Sequence, residues 1–328
     1  MKDPTTVSAR RPRRTLRLVL AGLAAVVVLL VTALYTWPVA GDALREAGAR
    51  QFGYAEAQAL ARQAGARDTG DPDVRTGCPS TLLDHGRRTA KAVLMLHGYT
   101  ACPGQLSGLA KHYFDAGYNV YVPRAPLHGI TDRTAHAGVQ AEDLVGYAAD
   151  AWNIAAALGD DVGVVGISGG AVLATWLAEY RADSVRRLLV LSPFYRPAAD
   201  KAPGAAVRPM TALYGFGLLP DHVNENGYSF AALAQYLRIT FAYRDLPGDP
   251  ALRNAALVVS PGDTFIDQET ARAVPRELAA DAGATFAGRT LPGDLGLEHD
   301  IVTEDRLGPA TAELYPLYLK LYENRSAA

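Results

Sequence analysis

From about residue 91 onward, short apolar runs alternate with longer segments of helical period. Short apolar runs bounded by turn residues are typical of buried strands, and the longer amphipathic segments indicate helices. The predicted strands are Lys91–Leu96, Asn119–Val122, Val162–Val165, Arg187–Leu191, Leu257–Ser260 and Ala284–Leu291. The predicted helices are Gln105–Ala116, Glu142–Leu158, Ala171–Tyr180, Phe230–Tyr243 and Ala310–Tyr322. This alternation predicts an α/β fold, with a mostly parallel central sheet and helices on both faces.

A different pattern occupies the amino-terminal part of the chain. No charged residue lies between Leu18 and Gly41, and Leu18 to Tyr35 is almost wholly Leu, Val and Ala. Such a run is long enough to cross the hydrocarbon core of a bilayer as a helix. We therefore predict one transmembrane helix over residues 18–40.

Charge sets the expected orientation of this helix. Six basic residues and one acid precede Leu18, so this segment carries +5 of a formal net charge of −2 and the remainder carries −7. By the positive-inside rule, residues 1–17 form a basic cytoplasmic tail and the rest of the chain lies outside the cell membrane. The mildly acidic remainder gives no support to nucleic-acid binding.

A cleaved signal peptide is the alternative, because the small residues Ala40 and Ala43 stand near the end of the apolar run. In that case the protein would be secreted. The run is longer than a usual signal core, and a cut after Ala40 would leave Pro38 close to the bond. We favour an uncleaved signal anchor.

Two segments interrupt or precede the alternating pattern. Residues 41–77 begin with an Ala-, Arg-, Glu- and Gln-rich stretch and end in a Gly/Pro-rich loop, which predicts a helical stalk before a globular domain over residues 78–328. Residues 193–253 form an insert between two predicted strands, with a Gly/Pro-rich lead followed by an apolar helix. We predict that this insert is a lid, and that some of its apolar side chains, among them Phe230, Leu233, Tyr236 and Phe241, face the active site. A helical excursion that packs on the sheet is the alternative.

The strand Val162–Val165 runs into Gly-x-Ser-x-Gly, formed by residues 166–170, and then directly into a predicted helix. A serine in this setting sits on a strained strand-to-helix turn that holds its hydroxyl out. The helix that begins at Gly169 directs free N–H groups at the same spot, which suits an oxyanion. Ser168 is therefore the candidate nucleophile.

Four motifs together carry a resemblance to a known family. They are Leu96-His97-Gly98-Tyr99-Thr100, the motif at residues 166–170, Ser260-Pro261-Gly262-Asp263 and Glu298-His299-Asp300. From about Cys78 to Tyr322 the chain resembles the α/β-hydrolases, and its pattern is most similar to small bacterial carboxylesterases and monoacylglycerol lipases. The order Ser, Asp, His is the order that this family uses.

The resemblance implies roles for particular residues. The backbone N–H groups of Tyr99 and Gly169 would form the oxyanion hole. His299 would be the general base, because it alone among the histidines follows the last predicted strand. Asp263 is the favoured triad acid, although Ser260 replaces the first glycine of the usual motif, and Asp267 in the same loop is the alternative.

The chain has two cysteines, Cys78 and Cys102. If both are exported they can persist as a disulfide, and two free thiols are the alternative. No His, Cys or Asp spacing indicates a metal site, and the expected chemistry needs no cofactor.

These observations predict a membrane-anchored serine hydrolase that cleaves carboxylic esters through an acyl-enzyme. The expected substrate is a small-molecule or lipid-like ester. The same fold and triad also serve thioesterases, peptidases and acyltransferases. A membrane-tethered binding protein without turnover is the alternative from another class.

Overall fold

The computed structural model describes residues 11–225, 227–244 and 250–325, and most of the predicted basic tail, residues 1–10, lies outside this description. The chain divides after Pro38 into two compact units. In the first unit, helix α1 covers Arg11–Thr36. Its segment Thr15–Thr36 has a mean hydropathy of 2.7, and none of it is buried against the rest of the chain. By length and composition, α1 is a candidate membrane span.

The second unit is built on a seven-stranded sheet. Its strands are β1 (Thr81–Leu83), β2 (Thr89–Leu96), β3 (Asn119–Val122), β4 (Gly159–Ile167), β5 (Arg187–Leu191), β6 (Asn254–Val259) and β7 (Thr285–Thr290). Their spatial order is β1-β3-β2-β4-β5-β6-β7. Only the β1–β3 pair is antiparallel. The prediction of a mostly parallel sheet is confirmed.

Nine helices of the second unit surround this sheet in the described part of the chain. They are α2 (Tyr54–Gly70), α3 (Ser107–Asp115), α4 (Ala141–Ala155), α5 (Gly169–Tyr180), α6 (Gly204–Gly215), α7 (Phe230–Thr240), α8 (Gln268–Asp281), α9 (Glu304–Leu307) and α10 (Thr311–Tyr322). Successive residues of a strand point to opposite faces. In β2, Leu94 packs with the side chains of α4 and α5, whereas Val93 packs with those of α3 and α10. Both faces of the sheet are therefore covered, as the apolar runs predicted.

The parallel strands bring four loops to one edge of the sheet. In register, Leu96 of β2 pairs with Gly166 of β4, and Ile167 pairs with Leu191 of β5. Parallel strands end at the same edge, where α/β proteins bind ligands. The segments after β2, β4, β6 and β7 therefore meet there, and they carry Tyr99, Ser168, Asp263 and His299 in that order.

Residues 41–77 differ from the predicted stalk. They belong to the second compact unit, which begins at Val39. Leu44 is fully buried, and its carbonyl accepts a hydrogen bond from Trp176 Nε1 at 2.7 Å. Helix α2 buries Ala57 and Ala61 in the same core. A stripe of two alanines four residues apart contributes little to a hydrophobic pattern, so α2 resembles a solvated helix in sequence although it packs on the body.

The insert contains two packed helices rather than one. Helix α7 begins near the predicted residue, and Ser229 caps it by accepting the Ala232 N–H. The Gly/Pro-rich lead contains α6, although Pro209 lies inside that helix. Strand β1 and helix α8 were also not predicted, since β1 has three residues and α8 contains Pro275. Residues 226 and 245–249 of the insert lie outside the described residues.

Candidate active site

Ser168 joins the end of β4 to the start of α5 in a conformation that few side chains adopt. Its φ is +54° and its ψ is −117°. The turn depends on close backbone approach on both sides, since a Cβ at Gly166 would lie 2.4 Å from the Gly170 oxygen and a Cβ at Gly170 would lie 2.1 Å from the Leu96 oxygen. Both glycines are therefore required by space, and the turn has the geometry of a nucleophile elbow.

Ser168, His299 and Asp263 form a continuous hydrogen-bonded series. His299 Nε2 lies 2.7 Å from Ser168 Oγ, and His299 Nδ1 lies 2.7 Å from Asp263 Oδ2. The carboxylate side chain is fully buried, and its Oδ1 accepts the Phe265 N–H at 3.0 Å. Because Asp263 accepts from Nδ1, the Nε2 atom of neutral His299 is free to accept the Ser168 proton. This is the arrangement that general-base activation of a serine requires.

Asp267, the alternative acid, lies at the start of α8 instead. Its Oδ1 accepts from Thr270 N at 2.8 Å and from Thr270 Oγ1 at 2.6 Å. Burial opposes the charged form of Asp267, but the bonds from Thr270 outweigh it and lower the pKa of the carboxyl. Asp267 is thus the N-cap of a helix. The structure brings Asp263, and not Asp267, to His299.

The backbone amides of Tyr99 and Gly169 belong to segments that meet beside Ser168. Gly169 is the first residue of α5, so its N–H has no acceptor within the helix. The loop after β2 approaches so closely that a Cβ at Gly98 would lie 3.4 Å from Ser168 Cβ. Amides held beside a nucleophile can stabilise the oxyanion of a tetrahedral intermediate.

Buried histidines support the loop that carries Tyr99. His97 Nδ1 donates to the Gly98 oxygen at 2.9 Å, and its Nε2 accepts the Ala125 N–H at 3.1 Å. His128 Nδ1 donates to the Pro126 oxygen at 2.7 Å. Burial lowers the pKa of His97 to about 3 and that of His128 to about 4. Both rings are therefore neutral at pH 7, and their contacts are structural.

A cavity of about 680 Å³ opens beside Ser168 and His299. Its wall contains both apolar and polar side chains. The apolar side chains include Phe194, Tyr228, Leu233, Phe265, Leu295 and Leu297. The polar side chains include Thr100, Gln105, Glu298, Asp300 and Arg306. Such a mixed cavity can hold a substrate that has both apolar and polar groups.

The insert contributes to this cavity, and one of the predicted residues, Leu233, lies in its wall. Tyr228 and Leu233 line it. Phe230 instead packs against Tyr214 and His222, and Phe241 packs against Arg208. Tyr236 is buried, and its ring lies against Gly169. The expectation that Phe230, Tyr236 and Phe241 face the cavity is wrong, because the sequence period of a helix does not tell which neighbour each side of it meets.

Cys78 and Cys102 form a disulfide, which confirms the predicted pairing. Cys102 directly precedes the 3-10 turn Pro103–Leu106 in the loop after β2. Gly129, with φ of +69°, packs against the bridge, and a Cβ there would lie 2.8 Å from the Cβ atoms of both cysteines. The disulfide therefore ties the segment before β1 to the loop that carries Tyr99.

The described residues contain no group of three or more His, Cys, Asp and Glu side chains that could hold a metal ion.

Among solved structures, the fold is similar to that of LipS and LipT, two metagenome-derived lipolytic enzymes, with 19% sequence identity, a TM-score of 0.55 and coverage of 75% of this chain and 99% of the other. It is also similar to a soluble variant of monoglyceride lipase from Saccharomyces cerevisiae in complex with a substrate analogue, at 12% identity, a TM-score of 0.52 and coverage of 74% and 91%. Est1E from Butyrivibrio proteoclasticus with bound ferulic acid gives 14% identity, a TM-score of 0.51 and coverage of 74% and 94%. At these identities the likeness establishes the fold alone.

Comparison with curated proteins finds no match. The sequence itself matches a family profile described as the alpha/beta hydrolase family over residues 93–317. This match covers more than half of the chain and includes all the strands from β3 to β7, the elbow at Ser168, Asp263 and His299. The chain belongs to the α/β-hydrolase family.

Proposed function

We propose that this protein is a serine hydrolase that cleaves carboxylic esters through an acyl-enzyme. The observation that carries the proposal is the unbroken series from Ser168 Oγ to His299 Nε2 and from His299 Nδ1 to Asp263 Oδ2, each step 2.7 Å long, at a serine held at positive φ. The family membership and the fold of lipases and esterases support it.

In the first half-reaction, Ser168 Oγ attacks the ester carbonyl while His299 Nε2 takes the hydroxyl proton. The carbonyl oxygen becomes an oxyanion, and the Tyr99 and Gly169 amides donate to it. Asp263 stabilises the imidazolium that forms. The imidazolium then gives its proton to the leaving alkoxide, so that an alcohol departs and an acyl-Ser168 ester remains.

In the second half-reaction, water takes the place of the alcohol. His299 removes a proton from water as it attacks the acyl carbon, and the same amides donate to the second oxyanion. The proton passes from His299 to Ser168 Oγ when the acyl bond breaks. A carboxylic acid leaves and the free serine returns.

The cavity favours a small-molecule or lipid-like ester with an apolar acyl group. Its aromatic and aliphatic wall, which includes Phe194, Tyr228, Leu233 and Phe265, contacts the space beside Ser168. Burial of each methylene against such a wall stabilises a complex by about 0.8 kcal/mol. Three of these four residues, Phe194, Tyr228 and Leu233, belong to the insert. The insert therefore acts as a lid that shapes the site for the acyl group.

We further propose that α1 anchors the enzyme in the cell membrane with the second unit outside. The apolar span Thr15–Thr36 and the basic residues at the amino terminus support this orientation. The Cys78–Cys102 disulfide also supports it, because disulfides persist in oxidising compartments outside the cytoplasm. Membrane fractionation with a high-salt wash tests the anchor, since a signal peptide would leave a shortened soluble protein instead.

Hydrolysis of aryl esters and labelling by a fluorophosphonate probe test the catalytic proposal together. We expect the wild-type protein to hydrolyse esters and to be labelled, and Ser168→Ala and His299→Ala to lose nearly all ester turnover. Members of one catalytic unit fail together, so the double variant loses little more than either single one. Turnover at the wild-type rate in Ser168→Ala would refute the proposal.

A further inference from the structure

Gln105 makes one contact that the triad and the oxyanion amides do not account for. It lies in the 3-10 turn Pro103–Leu106, and its Oε1 accepts the Gly98 N–H at 2.8 Å. The residue that follows Gly98 is Tyr99, whose own amide is the proposed oxyanion donor. A side chain seven residues along the chain thus holds the backbone immediately before that donor.

The loop that Gln105 holds does not keep its shape through local preference. Thr100, just after Tyr99, has a φ of +65°, a region that side chains with a Cβ rarely adopt. Gly98, just before Tyr99, has the widest conformational freedom of any residue type. The Tyr99 peptide therefore lies between a strained residue and a permissive one. The Ala101 N–H closes the turn by donating to the Gly98 oxygen at 3.2 Å, and further contacts complete the restraint.

Three contacts supply this restraint. His97 Nδ1 holds the Gly98 oxygen, and the Tyr99 hydroxyl accepts the Ser229 N–H at 3.0 Å. Gln105 Oε1 holds the Gly98 N–H. The turn that carries Gln105 is itself fixed, because Gln105 N donates to the oxygen of the disulfide-bonded Cys102 at 2.9 Å.

We propose that Gln105 is a positioning residue that orients the Tyr99 amide toward the oxyanion. This inference rests on the proposed function. The Gln105 side chain acts through Gly98 and makes no bond to the reacting atoms. Because the loss of a preorganised oxyanion donor lowers kcat by about 10²–10³, the loss of the group that orients one donor is expected to lower kcat by a smaller factor, on the order of tenfold.

Gln105 also lines the cavity, so it could instead bind the substrate, and that role predicts a different kinetic effect. A residue that binds the substrate equally in the ground and transition states raises KM and leaves kcat unchanged when it is removed. A residue that orients an oxyanion donor acts only in the transition state. Its removal lowers kcat and leaves KM unchanged.

The test compares Gln105→Met with Gln140→Met in the full-length protein in detergent. Methionine has a similar length but no acceptor oxygen. Gln140 is the matched control, because its amide also contacts the backbone, donating to the Gly138 oxygen at 3.3 Å, but it does not line the cavity. The measurements are kcat and KM on a short-chain aryl ester, the rate of fluorophosphonate labelling of Ser168 and the melting temperature.

We expect Gln105→Met to lose about tenfold in kcat and in labelling rate, with KM within twofold and a melting temperature close to that of wild type. Gln140→Met retains wild-type values. An unchanged kcat, a rise in KM alone, or a loss of activity that follows a large drop in melting temperature overturns the inference.

The two proposals can fail separately. If the wild-type protein hydrolyses no ester but its Ser168 is labelled, the ester proposal is refuted and the labelling rates decide the role of Gln105. A slower rate in Gln105→Met then supports that role, and an equal rate overturns it. A wild-type protein that is not labelled at all overturns both proposals.

Discussion

The ring of Tyr236 on α7 lies against the backbone of Gly169, so that a Cβ at Gly169 would be 2.7 Å from Cε1 of the ring. Tyr236 is 1% exposed, so its ring is enclosed by other atoms of the protein. The insert therefore packs directly on the residue whose amide is the proposed oxyanion donor.

This contact predicts an energetic coupling between the two positions. Gly169→Ala should destabilise the fold by about 1–3 kcal/mol through overpacking, although alanine is the better helix former. In a Tyr236→Leu background the same substitution should cost less, with a coupling energy of about 0.5–3 kcal/mol. Urea unfolding of the four proteins measures the cycle. Strictly additive losses would contradict the contact.

The two aspartates of the loop after β6 should separate activity from stability. Asp263→Asn should lower kcat by roughly 10⁴, because an amide at this position favours the wrong tautomer of the imidazole. Asp267→Asn should retain most activity, since asparagine also caps helices well. Ester hydrolysis by both variants measures the difference.

A complementary measurement addresses the cap itself. Asp267→Ala should destabilise the fold by about 0.5–2 kcal/mol. If Asp267→Asn proved more damaging to kcat than Asp263→Asn, the acid role would pass to Asp267.

Acid should destabilise the protein through the buried histidines near Tyr99. The folded pKa values of His97 and His128 are about 3 and about 4, below the ordinary value of 6.5. The unfolded chain therefore binds protons below pH 6.5 that the folded chain does not bind, and stability falls as the pH drops from 6.5 toward these values. At pH 5 each histidine should account for a loss of roughly 2 kcal/mol relative to pH 7.

Urea midpoints at pH 7 and pH 5 measure this loss. His97→Gln should make the pH dependence shallower, whatever it does to stability at pH 7. Gln140→Met, which replaces no titratable group, is the control and should leave the slope as it is. A slope in His97→Gln equal to that of the wild type would argue against the buried neutral ring.

The apolar wall of the cavity predicts which substitution in the insert alters chain-length preference. Leu233→Ala removes three carbons from the wall, and each methylene of substrate that fills the space contributes up to about 0.8 kcal/mol, or roughly fourfold in kcat/KM. The preferred acyl chain should therefore lengthen by about two to three carbons. Turnover of aryl esters with increasing acyl length measures the shift.

Phe230→Ala is the matched control in the same helix, since Phe230 packs on Tyr214 and His222 instead. It should lower thermal stability and leave the order of preference unchanged. A shift caused by Phe230→Ala and not by Leu233→Ala would reverse the assignment of the wall.

Local sequence patterns were sufficient to predict most of the sheet and the turn at Ser168. The apolar runs predicted six of the seven strands. The Gly-x-Ser-x-Gly motif predicted the tight turn at Ser168, where Gly166 and Gly170 leave no space for a Cβ. The meeting of Ser168 with His299, 131 residues apart, could be expected only from the order of motifs along parallel strands.

Contacts between residues far apart in the chain could not be predicted from the sequence. The bond from Trp176 to the Leu44 carbonyl joins residues 132 positions apart and turns an expected stalk into part of the core. Which side of α7 faces the cavity depends equally on where α6 lies, and α6 begins in a segment whose glycines and prolines predicted a loop. The sequence does not indicate the role of Gln105, because a glutamine at the start of a predicted helix has no distinguishing pattern until its side chain is seen to accept the Gly98 N–H.

The burial of Val39 determines which cuts between α1 and the second unit would leave that unit intact. Arg238 Nε donates to the Val39 carbonyl at 3.0 Å, and Val39 is 1% exposed. Only Trp37 and Pro38 stand between this residue and the end of α1 at Thr36. Trp37 and Pro38 are exposed, so a cut at this point would release the second unit with the Arg238 contact intact. A leader peptidase that cuts after Ala40 or Ala43 would instead remove Val39, and the mature body would lack the Arg238 contact.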